Sequence, residues 1–339
     1  MILKLVARRL AMLVFVLFGV VVLTFFISRL IPTDPARLIA GDFASEEVVE
    51  QIRVELGFDR SLFEQFWIHV GNLLQGDLGT SITTGQPVLQ DLATYAPATV
   101  ELAVAAMMIA VIGGILLGVL SAVYKDGWID NLVRVVALTG VSTPSFWLAL
   151  LFLLLFYGTL GWFPAGGRID PTLAPLDRIS GLYLVDSIVA LRPDAFLSAL
   201  THLVLPASCL GLITMGVFAR LIRASLLEEL GRAYIRTFRS IGLAEHRVVF
   251  GHALPNALTP FVTQLGLSFA AMLTGAVVTE AIFGWPGMGG YILQATQSLD
   301  FPAIIGFTII VGVIYAVLNL VINIAYLFLD PRLRSGAVK

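Results

Sequence analysis

The sequence predicts an all-α integral membrane protein of six transmembrane helices, and three observations carry that prediction. Hydrophobic residues fill 58% of the 339 positions against 13% charged, with a mean hydropathy of +0.91, where a soluble domain carries roughly 25% charged residues. Windows without charge recur six times, as in Leu10–Ser28 and Phe301–Leu329, and about 20 apolar residues cross a hydrocarbon core. The charges that remain are segregated into the connections, so the net charge of −2 says little about partners.

In chain order, residues 1–9 carry Lys4, Arg8 and Arg9 ahead of the first span, 10–31. That run stays bulky to its end, whereas a cleaved signal would be shorter and close on small residues, so it is read as an uncleaved span. An external segment follows at 32–97. There Ser45 ahead of Glu46 and Glu47 starts a short helix that Gly57 ends, and Ser61 with Glu64 forms a capping-box pair ahead of Phe66, Trp67, Val70, Leu73 and Leu74. These amphipathic helices either cover a pore mouth or membrane face, or pack as a plain loop. Span two, 98–124, holds Gly114-x-x-x-Gly118, a spacing that lets helices approach closely. Span three, 133–160, holds Pro144, which should kink it and free a backbone carbonyl. Such defects are tolerated where protein or a water-filled cavity surrounds them. A polar, proline-bearing second external loop (161–196) leads to span four (197–220), a charged loop (221–256) and span five (257–282). A third external loop (283–301), with a Trp-Pro-Gly turn between aromatic anchors, precedes span six (302–329) and a tail (330–339). Lys125 and Arg134, the arginines from Arg220 to Arg247, and Arg332, Arg334 and Lys339 fall on the same side as the amino terminus. The positive-inside bias makes that side, and both termini, cytoplasmic.

The charged loop is the most ordered of the connections. Tyr234, Phe238 and Ile241 recur at i, i+4, i+7, and Arg232, Arg236 and Arg239 repeat that spacing about half a turn round, which is an amphipathic helix. Gly242 follows as a terminator, and a second short helix runs from about Ala244 to a stop or kink at Pro255. Helix, glycine turn, helix is a cytoplasmic elbow suited to docking another protein. The Glu228/Arg232 pair within it contributes only about 0.2–0.5 kcal/mol.

No Gly-x-x-x-x-Gly-Lys-Ser/Thr is present, so this chain has no P-loop ATP site. No Ser/His/Asp or His/Glu/His set shares a face, and His69, His202, His246 and His252 have no metal-ligand spacing. His202 is read as a satisfied interfacial histidine. The lone Cys209 excludes an intrachain disulfide. Glu101 and Glu280 sit at span edges, where ionisable groups usually face the bundle or water. Each either lines a path, where Glu280 would meet a cationic group of the cargo, or is a carboxylate at the lipid interface paired with a donor.

Gly242, nine residues, then His252-Ala253-Leu254-Pro255 resembles the coupling motif of binding-protein-dependent ABC importer permeases. In that family Glu-Ala-Ala stands where this chain has Arg236-Thr237-Phe238, and isoleucine where it has His252. Tyr234-Ile235-Arg236-Thr237, Asn256-Ala257, Gly76-Asp77-Leu78-Gly79-Thr80-Ser81, Phe283-Gly284-Trp285-Pro286-Gly287-Met288-Gly289 and Asp330-Pro331-Arg332 are similar to the peptide/nickel branch, and to its dipeptide permeases with a longer second external loop. The resemblance implies the type I importer permease fold with cytoplasmic coupling helices, in the inner (plasma) membrane of a bacterium. It implies that Arg236, Arg239, Ser240, Gly242, Leu243, His246 and Pro255 serve the ATPase contact, with Glu101, Pro144 and Glu280 as candidates for the translocation path. Implied partners are a second related permease in a heterodimer, two cytoplasmic ATPase subunits that hold ATP and Mg, an external substrate-binding protein and the lipid bilayer. No nucleic acid and no cofactor are expected in this chain, and hydrolysis belongs to the partners. The implied cargo is a dipeptide or short oligopeptide, with nickel complexes or glutathione as alternatives. A stand-alone secondary transporter is the rival, opposed by the lack of mid-span charges and of paired halves.

Overall fold

The computed structural model describes the backbone of residues 2–30, 34–41, 43–55 and 57–329. Helices α1 (Ile2–Leu30), α2 (Pro35–Ala40), α3 (Glu46–Glu55), α4 (Leu62–Leu74) and α5 (Val88–Val123) come first. Next are α6 (Trp128–Ser142) and α7 (Ser145–Phe152), the latter continuing as a π-helical stretch over Leu153–Thr159. Then come α8 (Tyr183–Val189), α9 (Pro193–Leu230), α10 (Ala233–Ser240) and α11 (Glu245–Arg247), which passes through a second π-helical stretch, Val248–Ala253, into α12 (Leu254–Ala257). Helices α13 (Thr259–Gly275), α14 (Val277–Ile282), α15 (Met288–Gln297) and α16 (Phe301–Leu329) close the series. Among the described residues there is no strand, only an isolated antiparallel bridge between Thr80 and Pro87. The tail with Arg332, Arg334 and Lys339, and the side chains of Lys4, Arg8 and Arg9, lie outside the described residues.

The first, second, fourth and sixth apolar windows each lie on one helix, while the fifth is divided among α12, α13 and α14. Val88–Val123, Pro193–Leu230 and Phe301–Val321 are long and apolar enough to cross a membrane by themselves, and Ala11–Ile27 and Thr259–Leu273 are shorter apolar helices. The third window is broken. Helices Trp128–Ser142 and Ser145–Thr159 meet at 107°, because Pro144 forces an extended backbone on itself and on Thr143 (ψ 135° and 126°). The expected kink is thus a sharp corner. Helix α9 runs on to Leu230, so the first turns of the charged stretch are helical. Its closing residues, Leu-Ile-Arg-Ala-Ser-Leu-Leu-Glu-Glu-Leu, are mostly strong helix formers that carry the span past the end of the apolar run. The stretches expected as the second and third external loops hold α8 and α15 as well as irregular chain.

The chain divides into two compact units, Met1–Ala96 with Tyr291–Val317, and Pro97–Gly290 with Leu318–Lys339. In the first, the capping box at Ser61 and Glu64 is present and starts α4. Phe66 on α4 packs edge-on against Phe25 of α1 and stacked against Phe26, at 5.3 and 6.1 Å between ring centroids. The Gly76–Ser81 stretch forms a tight loop anchored on Asp300, which is fully buried at the start of α16. Ser81 Oγ and the Thr83 amide donate to Asp300 Oδ2 at 2.6 and 2.9 Å, and the Ala303 amide donates to Oδ1 at 3.1 Å. One carboxylate therefore caps α16 and fixes the loop.

In the second unit α9 is the central helix, touching α6, α7, α8, α12, α13 and α14. Around Cys209 and Leu205 it packs with Ala149 of α7 and Phe283, with Phe152, Phe156 and Phe163 closing the cluster. A Cβ added at Gly114 would lie 2.5 Å from Phe218 Cβ, and one at Gly118 would lie 2.8 Å from Ile222 Cβ and 2.9 Å from the Ala219 carbonyl. The Gly114-x-x-x-Gly118 spacing is thus the seam along which α5 meets α9 at backbone distance.

Candidate functional site

The charged elbow sits at the end of α9 and is built by short-range chemistry. Its first arm, α10, ends in a Schellman turn: the Gly242 amide donates to the Arg239 carbonyl at 3.0 Å, and the Leu243 amide to the Phe238 carbonyl at 3.1 Å. Gly242 has φ +79°, the left-handed region that favours glycine. The second arm begins at Glu245 and does not stop at Pro255. Helical winding widens to the π form over Val248–Ala253 and carries on through Leu254–Ala257. The wider turn ahead of Pro255 accommodates a ring that would clash with an ordinary α-helical carbonyl one turn back and that has no N–H to give.

The two arms are joined by side chains. Phe238 stacks on His252, with ring centroids 4.2 Å apart and planes at 25°. Asn256 Nδ2 donates to Tyr234 Oη at 3.1 Å, and Tyr234 donates in turn to Glu229 Oε2 of α9 at 2.6 Å. Burial and the Glu229 carboxylate hold the Tyr234 phenol above its ordinary value, so that donation persists through neutral pH. Arg239 Nε donates to Glu245 Oε2 at 3.1 Å across the turn. The guanidinium keeps the Glu245 carboxyl below its usual range, so this tie is present above the ordinary glutamate value and is lost only as pH falls through the lowered one. The apolar stripe differs from the sequence reading. Ile235 is the buried residue of α10 while Ile241 is 70% exposed, because the helix ends at Ser240 and the chain turns away with Ile241 outside it. Arg236, Arg239, Ser240, Gly242, His246 and Pro255 are exposed, and Leu243 is half-buried. The structure therefore brings the candidate contact residues together on one presented elbow.

The candidate path carboxylates lie elsewhere and are engaged. Glu280 is 1% exposed. Its Oε1 accepts from Thr99 Oγ1 at 2.7 Å and its Oε2 from the Gly289 and Gly290 amides at 2.6 and 3.2 Å. A Cβ on Gly287 would lie 2.5 Å from three atoms of that carboxylate. Trp285 closes the cradle, its Nε1 donating to the Ala98 carbonyl at 2.8 Å. Phe283, Trp285 and Gly287–Gly289 are thus the buried part of a collar around a carboxylate, with Gly284 and Pro286 exposed, and the geometry favours a Glu280 paired with donors inside the protein rather than at a lipid interface. Glu101, also buried, pairs with Arg168 at 2.5 Å and accepts the Leu184 amide at 2.8 Å. Arg168 donates onward to the Gly181 carbonyl at 2.9 Å and lies 3.9 Å from the Tyr183 ring centroid, tying the irregular segment ahead of α8 to α5. Glutamine at 280 can keep its oxygen on the Gly289 and Gly290 amides only by placing its NH2 where Oε1 accepts from the Thr99 hydroxyl, so Glu280→Gln is expected to lower the thermal midpoint of detergent-solubilised permease while uptake per folded molecule stays at wild type. A lowered uptake per folded molecule with an unchanged midpoint would restore the path reading.

Sequence reasoning missed Asp130, Arg223, Arg168 and Ile235. Asp130 and Arg134 stand at i, i+4, which is a usable hint, whereas no local pattern pairs Arg168 with Glu101. Among the described residues no group of three His, Cys, Asp or Glu is placed to hold a metal.

Two family models match. Residues 114–335 match the description "Binding-protein-dependent transport system inner membrane component", and residues 1–103 the N-terminal part of such membrane components. Among similar proteins, a probable D,D-dipeptide transport system permease of Escherichia coli (strain K12) is 50% identical over 96% of this chain and 95% of its own length. A di/tripeptide transport system permease of Pseudomonas aeruginosa (strain UCBPP-PA14) is 41% identical over 98% and 99%. A dipeptide transport system permease of Alkalihalophilus pseudofirmus is 40% identical over 96% and 98%. A crystal structure of an amino acid ABC transporter with histidines shares the fold at a TM-score of 0.50 and 16% identity, covering 70% of this chain and 94% of that one. The helical membrane chain, its lack of a P-loop, its elbow and these matches lead to one conclusion: the protein belongs to the binding-protein-dependent transport system inner membrane components, the permeases of ABC importers.

Proposed function

We propose that this chain forms one half of the translocation pathway of an importer for dipeptides or short oligopeptides, with both termini cytoplasmic and the elbow as the seat of the ATPases. The observation that carries the reading is an assembled, exposed elbow on a chain whose sequence has no P-loop. The peptide class of the cargo rests on the names of the similar permeases. A second, related permease completes the pathway, two ATPase subunits carry ATP and Mg, and an external binding protein delivers the cargo. Arg236, Arg239, Ser240, Gly242, Leu243 and His246 face the ATPase, and Pro255 sets the rise of the second arm. Of the path candidates, Pro144 is retained: the corner it makes frees backbone carbonyls, which membrane proteins keep only against protein or water. Glu101 and Glu280 act as buried ties, to Arg168 and Leu184 and to Thr99, Gly289 and Gly290.

The test is uptake of a radiolabelled dipeptide, one that the associated binding protein retains in native mass spectrometry, into liposomes holding the full assembly. Uptake that requires ATP, both ATPases and the binding protein is expected. Uptake by this chain alone under an ion gradient would overturn the proposal, and retention of a nickel complex or glutathione instead of peptide would overturn its cargo.

A further inference from the structure

At the elbow end of the second unit, one carboxylate joins three helices. Asp130, in the first turn of α6, has no exposed surface. Arg223 of α9 meets it in a two-pronged pair, Nε to Oδ1 at 2.8 Å and Nη2 to Oδ2 at 2.7 Å. Ser121 Oγ, near the end of α5, donates to Oδ1 at 2.5 Å, and the amide of Asp126 in the intervening turn donates to Oδ2 at 2.9 Å. Arg134, one turn along α6, lies 3.8 Å away. Asp126 itself sits at φ +60°, a left-handed turn that aims its amide at the carboxylate. Arg223 stands about 10 Å before the end of α9, by the rise per residue of an α-helix, and directly after the seam where Gly118 touches Ile222. Ion pairs are seldom the most stable filling of a buried site, and their best-attested use is to fix register.

We propose that the Asp130–Arg223 pair is a positioning clamp that makes the elbow-bearing end of α9 move as one piece with α5 and α6, so that displacement of the elbow reaches the spans. A planar guanidinium on a planar carboxylate resists both sliding and rotation of α9, which a single point contact would not. The inference rests on the elbow being the ATPase seat, and the experiment separates the two.

In the complete assembly in liposomes, ATP hydrolysed per dipeptide imported is measured for Asp130→Asn, Arg223→Lys and Gly242→Asp, each normalised to assembled complex. The clamp predicts that Asp130→Asn raises the ratio about tenfold, as expected for loss of an energetic link between sites. Arg223→Lys, which keeps the charge and loses the second prong, raises it less. A filler role predicts less assembled complex at a wild-type ratio in both, and that result overturns the clamp. If Asp130→Asn does not assemble, Arg223→Lys decides alone. Uncoupling by Gly242→Asp with wild-type ratios in both clamp variants removes the clamp and leaves the elbow. A raised ratio in the clamp variants beside a fully coupled Gly242→Asp removes the elbow as the ATPase seat and, with it, the clamp as the route of its displacement.

Discussion

Gly242→Asp is expected to abolish ATP-driven uptake while the permease still inserts and folds. The backbone there is at φ +79°, and a residue with a Cβ in that region costs roughly 1–2 kcal/mol, less for aspartate, which tolerates it. Nothing lies within 4 Å of the place its Cβ would take, so the new side chain strikes no neighbour. The elbow keeps its ties from Phe238 to His252 and from Tyr234 to Asn256. What changes is the presented tip, which gains bulk and a negative charge on a surface that must fit another protein. A central contact of that kind is worth about 2 kcal/mol or more, roughly thirtyfold in affinity. Gly242→Asn, of the same shape without the charge, should lose less. Uptake per inserted permease in proteoliposomes is the measurement, and a wild-type rate in the aspartate variant would contradict the role given to the turn.

The second large effect is structural. In Gly118→Leu the first side-chain atom falls 2.8 Å from Ile222 Cβ and 2.9 Å from the Ala219 carbonyl. The obstruction includes α9 backbone, so no rotamer change relieves it, and the helices must separate along the seam. Overpacking costs about 1–3 kcal/mol where side chains can yield, and more is expected here. The variant should show a thermal midpoint lowered by about 5 °C or more, or loss of a single size-exclusion peak. A midpoint equal to wild type would mean that α5 and α9 do not meet at this seam in the membrane.

Much of this architecture was legible from residues alone, and the reason differs from element to element. The Ser61/Glu64 capping box and the turn at Gly242 are written in local sequence, because each depends on residues within a few positions of one another, whereas the Gly114/Gly118 spacing is local but its partners lie far along the chain on α9. The break at Pro144 was legible, but not its size of 107°. Proline states that the helix cannot continue, while the direction of the next helix is set by packing of α7 against α9 and α14. Pro255 was read as a stop or kink because a proline inside an α-helix usually is one or the other. The π-helical widening that lets the helix pass depends on geometry no residue type announces. Ile241 was placed on the apolar stripe by its spacing, yet the helix ended one residue too soon. Glu280 illustrates the widest gap. Its partners are Thr99, far away in sequence, and two amides of a glycine-rich turn, and a carboxylate's role cannot be told from the residue when its donors come from distant backbone.

The most direct test uses the chain's own chemistry. Cys209, its only cysteine, is buried, so in Ser240→Cys a bulky maleimide should react at the exposed elbow alone. Labelled permease in the complete assembly is expected to lose ATP-driven dipeptide uptake, with unlabelled Ser240→Cys near wild type. Undiminished uptake with the elbow fully labelled would contradict the claim that the ATPases act on the spans through it.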